Sequence, residues 1–175
     1  MLGLAVSDLC ISLNRLLDAG ARVKWDWLSP LAAIVAFLKI VTQWWTWFSA
    51  VSLAKGVTFE MFVVLLATVV LLYLIAAVAL PDSVEGGADL RAYYARTSRR
   101  YWLLFAAQFA LSNAVSVWAQ MQVQGARFSL LSPGYLILPA AIALAFWRGR
   151  VLHTAAFCGL IAIYLLQFAG RGLGQ

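Results

Sequence analysis

Long apolar stretches alternate with short polar ones along the chain, and their lengths set the first reading. Runs at about 30–49, 60–80, 101–123, 128–147 and 151–170 each approach the roughly 20 residues an α-helix needs to cross hydrocarbon. Ser29-Pro30 starts the first run with a hydroxyl cap and a proline at the first helical position. Trp25 and Trp27 before it, and Trp44, Trp45 and Trp47 at its far end, suit the two membrane interfaces. Pro81-Asp82 stops the second run, and Gly86-Gly87 keeps the polar connection 81–100 irregular. From Asp89 the pattern turns helical again and runs on into the span at 101–123. Pro133, Gly134 and Pro139 predict a kink or break in the 128–147 span. Arg148-Gly149-Arg150 turns the chain into the last span, and the tail Arg171–Gln175 is predicted to fray.

Residues 2–19 predict a helix with two faces. At about 100° per residue, Leu2, Ala5, Val6, Leu9, Cys10, Leu13, Leu16 and Leu17 share one arc. Ser7, Asp8, Ser12, Asn14, Arg15 and Asp18 share the opposite one, and Gly20 follows as a C-terminal cap. Such a helix lies in the interface, or spans with its polar face against protein or water. It is no ordinary signal peptide, because no Lys or Arg precedes the apolar run and Asp8 interrupts it.

Composition removes the soluble alternatives. The 175 residues are 64% apolar, with 13 basic and 7 acidic side chains and a mean hydropathy of +0.87. That leaves too little polar surface to cover a soluble domain. The predicted class is all-α: a single-domain, polytopic transmembrane helical bundle of five or six spans. Six spans divided after the third would place two halves of three helices in a 3+3 inverted topology, the arrangement of inverted-repeat transporters.

The net charge of +6 changes the picture only in detail. The bases flank hydrophobic spans, so they read as topology signals and contacts to anionic headgroups, with no nucleic-acid partner. One side collects Arg15, Arg22, Lys24, Arg91, Arg96, Arg99, Arg100, Arg148 and Arg150, the other Lys55, Arg127 and Arg171. The charge bias predicts an inner-membrane protein with the 81–100 loop cytoplasmic and the C-terminus outside.

Lys39 is the basic residue left over, ten residues into a span. An ammonium at that depth costs about 3 kcal/mol on insertion scales, so it calls for a protein or water environment and a partner. Gln43 and Thr46 follow on the same face, and Asp8 is the candidate counter-charge. In the fourth span Gln108, Ser112 and Ser116 recur at four-residue spacing, with Asn113 and Gln120 on an adjoining line. Such a stripe lines a hydrated path or supplies interhelical hydrogen bonds. The broken 128–147 helix adds Pro139 to the path.

Arg96 and Arg100 lie one turn apart beside Arg99, placed for lipid phosphate. The acids Asp82, Glu85 and Asp89 suggest Mg²⁺ and a headgroup transferase, but Gly86-Gly87 breaks the spacing they would need. His153 is alone and reads as a hydrogen-bonding residue between helices. Cys10 and Cys158 form no C-x-x-C, and no catalytic signature, metal cluster or cofactor motif is present in the sequence.

The function expected from these residues is a small transporter or channel for ions or small solutes. Lys39, Gln43, Asp8, Gln108, Asn113 and Pro139 line its path, and the chain acts as a homo-oligomer. The rival expectation is a non-catalytic accessory subunit of a larger membrane complex.

Overall fold

The computed structural model describes residues 2–51, 59–84, 87–124, 134–147 and 149–169. Lys55, Glu85, Gly86, Arg127, residues 128–133 with Pro133, Arg148 and the tail from Arg171 lie outside them.

The protein is all-helical, with α1 (Leu2–Ala19), α2 (Leu28–Val51), α3 (Phe59–Ala79), α4 (Leu90–Gln124), α5 (Gly134–Phe146) and α6 (Arg150–Ala169). Among the described residues three stretches are long and apolar enough to cross a membrane: Leu28–Trp47, Phe62–Ala79 and Arg150–Gln167. α4 joins the second half of the polar connection to the predicted fourth span in one helix of 35 residues, about 52 Å at 1.5 Å per residue. The described part of α5 has 13 residues, about 20 Å, and contains Pro139 within a continuous helix.

α2 begins earlier than Ser29-Pro30 predicts. Asp26 caps it instead, its Oδ1 accepting the Leu28 N–H at 3.1 Å, while the Ser29 hydroxyl donates across to Leu90 O at 3.3 Å. At the other end of the preceding helix, Gly20 takes φ +51°, the left-handed conformation that closes α1.

One polar end gathers three connections. Val23–Lys24 (β1) pairs in parallel with Ala88–Asp89 (β2), a bridge that no sequence pattern announced. Arg15 donates to Asp82 O at 2.7 Å, Arg150 pairs with Asp26 at 2.5 Å, and the Arg99 guanidinium lies 4.9 Å from the Phe146 ring centre. Gly87 makes the close approach possible: its φ is +102°, and a Cβ there would stand 2.9 Å from Arg22 O.

Packing explains which faces turn inward. α1 buries a narrow stripe, Ala5, Leu9, Ser12, Leu16 and Ala19, and leaves Leu13, Leu17 and Cys10 exposed. The face predicted as polar therefore supplies Ser12 to the contact, and part of the apolar arc faces out. Small residues make the contact close, and in lipid an outward leucine is not penalised. α4 is pinned to α6 by aromatics, with Trp102 stacked on Phe157 at 5.0 Å and Tyr101 edge-on to it at 5.8 Å. Tyr101 also donates to Ala32 O at 2.9 Å, fixing α4 against α2.

Candidate functional site

Lys39 lies eleven residues past Leu28 on α2, about 16 Å from the start of the helix. It is 7% exposed, and its Nζ lies 5.4 Å from the centre of the Phe109 ring on α4. That contact is a cation–π geometry. Among the described residues the ion pair is Arg150–Asp26, and no carboxylate, Asp8 included, pairs with Lys39. Asp8 is half-buried on α1, next to the Ala5–Leu9–Ser12 stripe in the sequence.

One turn beyond Lys39, Gln43 meets the fourth-helix stripe. Gln108 Nε2 donates to Gln43 Oε1 at 3.2 Å and to Ser112 Oγ at 2.8 Å, and Ser112 Oγ donates to Gln43 Oε1 at 3.3 Å. Gln108 is fully buried, and its Oε1 has no hydrogen-bond partner among the described residues. The seam thus holds a charged donor and a bare carbonyl acceptor beside the Gln43 and Ser112 hydrogen bonds. Buried polar groups left unpaired are costly, so such a site favours a ligand, ion or water that completes them.

The remaining predicted residues stand apart from it. Asn113 donates to Phe109 O at 2.8 Å and Ser116 to Ser112 O at 2.9 Å, each satisfied within its own helix. Thr46 is exposed and bonds to Thr42 O. Pro139 is exposed on α5. Gln120 lies where no side chain is described.

Arg96, Arg99 and Arg100 come together with Leu103 and Leu104 around a groove of about 420 Å³.

A second buried network was not anticipated beyond His153 itself. His153 Nε2 lies 2.8 Å from Trp147 O, which can only accept, so Nε2 carries the proton and Nδ1 accepts. The Tyr94 hydroxyl donates to Nδ1 at 2.7 Å, and Trp102 Nε1 donates to the Tyr94 oxygen at 3.1 Å. Burial pushes the Tyr94 phenol above its ordinary value, against the pull of the Trp102 N–H, so it stays a donor. The eight-residue spacing of Tyr94 and Trp102 puts both on one face of α4 and was the sequence signal available.

Asp26 was also missed. Burial raises its carboxyl pKa, but the Arg150 and Leu28 hydrogen bonds and the charges of Arg150 and Arg91 outweigh that, leaving it below the ordinary 3.8. Among the described residues no three of His, Cys, Asp and Glu are grouped to hold a metal ion. Comparison with protein-family models, curated proteins and solved structures finds no match for this chain.

Proposed function

We propose that the chain is a small integral membrane protein that carries ions or small polar solutes along the seam between α2 and α4. The observation that supports this most is the buried Lys39 ammonium, which has no carboxylate partner among the described residues, one turn from Gln43, whose neighbour Gln108 leaves Oε1 without a described partner. A charge kept inside a bundle at a cost of about 3 kcal/mol, with no structural ion pair to offset it, fits a solute-handling role. An anion on Lys39, or a solute that both accepts from Lys39 and donates to Gln108, would complete the site.

Six crossings suit this reading. The described residues Val23–Lys24, Ala88–Asp89, Phe146 and Arg150 share one end, which supports α1 to α6 alternating in direction. That end carries Arg15, Arg22, Lys24, Arg91, Arg96, Arg99, Arg100 and Arg150, which the charge bias assigns to the cytoplasm of the inner membrane.

Solute and ion flux into liposomes holding the purified protein tests the proposal. Wild-type flux that Lys39→Met abolishes or re-selects is expected. Unchanged flux in the variant, with insertion verified, would remove Lys39 from the path.

One observation favours the accessory-subunit reading: α1 turns Ser7, Asn14, Arg15 and Asp18 outward, a poor surface for lipid. A silent wild-type protein that co-purifies with a stoichiometric membrane partner would select it.

A further inference from the structure

A groove of about 860 Å³ opens at the polar end, within the roughly 300–1,000 Å³ typical of ligand sites. It lies apart from the α2/α4 seam and from the Arg96–Arg100 cluster. Lys24 before α2, Arg91 on α4 and Arg150 on α6 bring three cations to it from three places in the sequence. Two carboxylates also face it, and both are engaged. Asp26 caps α2 and pairs with Arg150, and Asp89 accepts the Ala92 N–H at 2.9 Å as the cap of α4. Among the described residues no carboxylate lies within ion-pair distance of Lys24 or Arg91, although the Arg91 charge acts on Asp26, and both cations are exposed.

The rest of the lining is apolar in a directional way. Leu31 and the exposed Ile34 continue down the outer face of α2, the stretch apolar enough to span. Trp25 and Trp27, half and two-thirds exposed, stand at the mouth. Indole rings at a span's entrance sit at headgroup level, so the cations stand at phosphate depth and the apolar floor at acyl depth.

We infer that this groove binds one phosphate-bearing amphiphile, an anionic glycerophospholipid. Its phosphate contacts Lys24 and Arg91, with Arg150 shared between Asp26 and the ligand. Its acyl chain lies along Leu31 and Ile34. Free inorganic phosphate would satisfy the cations but not the floor, so the two sources of the same chemistry are separable.

Native mass spectrometry of the detergent-purified full chain tests this with phosphatidylglycerol, diacylglycerol of the same chains, and inorganic phosphate. Phosphatidylglycerol should bind, and the Lys24→Gln/Arg91→Gln pair should weaken it about thirtyfold, two contacts at roughly 1 kcal/mol each. Lys24→Arg/Arg91→Lys should retain binding, which separates loss of charge from misfolding. Undiminished affinity in the Gln pair would overturn the site. So would a loss that follows only Arg96→Gln/Arg100→Gln, equal binding of diacylglycerol, or full occupancy of the groove by inorganic phosphate alone.

Discussion

The Tyr94 hydroxyl donates to His153 Nδ1 across 2.7 Å, and with this bond the start of α4 is locked to the start of α6. Trp102 and the Trp147 carbonyl complete the network, so each polar atom in it has a partner. Tyr94→Phe leaves Nδ1 with only the 3.4 Å contact from Trp102. A loss of about 1–3 kcal/mol is expected in detergent unfolding, the cost of stranding buried polar groups. A loss under a few tenths would mean that water replaces the phenol.

Lys39→Met should separate stability from activity. Removing an ammonium that has no carboxylate partner among the described residues should stabilise the bundle by about 1–3 kcal/mol, even though the Phe109 contact is lost. Destabilisation on thermal melting would show instead that Lys39 holds helices together.

The glutamine pair should be strongly non-additive. Gln43→Leu strands an N–H of Gln108, whose Oε1 is already unpartnered, and should cost about 1–3 kcal/mol. Gln108→Leu removes that bare oxygen and leaves Gln43 the Ser112 donor, so it should cost less. The double variant should approach wild-type stability, because both partners leave together. Additive losses in a double-mutant cycle would refute the coupling.

Asp26 predicts a pH window. Its folded pKa lies below the ordinary 3.8, so its contribution is complete above 3.8 and is lost as pH falls through the lower folded value. Asp26→Asn keeps a cap and loses the ion pair, costing about 0.2–1 kcal/mol for a partly exposed pair. Asp26→Ala loses both, about 1–2 kcal/mol in all. The gap between wild type and Asp26→Asn should persist from pH 7 to 4 in melting curves. Closure by pH 5 would contradict the assignment.

Gly87→Ala and Gly20→Ala should differ. Both positions have positive φ, but only at Gly87 does a Cβ meet backbone, at 2.9 Å from Arg22 O. About 1–2 kcal/mol is expected at Gly20 for the left-handed backbone alone. A larger loss is expected at Gly87, because the β1–β2 bridge must also open. Equal losses in thermal melts would mean that the bridge yields freely.

The sequence reading reached the helices and much of the seam. Apolar runs between breakers located α2, α3 and α6, and the helical pattern after Asp89 foresaw α4 running through. Lys39 stands out by its charge at mid-span, and Gln43, Gln108 and Ser112 by helical spacing; the structure hydrogen-bonds the last three together one turn from Lys39. Asp8, half-buried on α1, forms no ion pair with Lys39 among the described residues, and Pro139 is exposed on α5. Helical spacing says which residues share a face, but it does not say toward which neighbour that face is rotated.

By itself, then, the sequence determined what depends on nearest neighbours along the chain. That includes the helix-forming runs, the depth of Lys39 within one of them, and the basic bias of the connections. Only the tertiary structure decided what depends on rotation and axial register between helices. It paired Gln43 with Gln108 and Tyr94 with His153, and it put Phe109 rather than a carboxylate over Lys39. It turned Ser29 from a cap into a bond to Leu90, and it drew Val23 to Ala88 and Arg150 to Asp26. These contacts join residues tens of positions apart, where side-chain volume and the need to satisfy buried polar groups outweigh any local pattern.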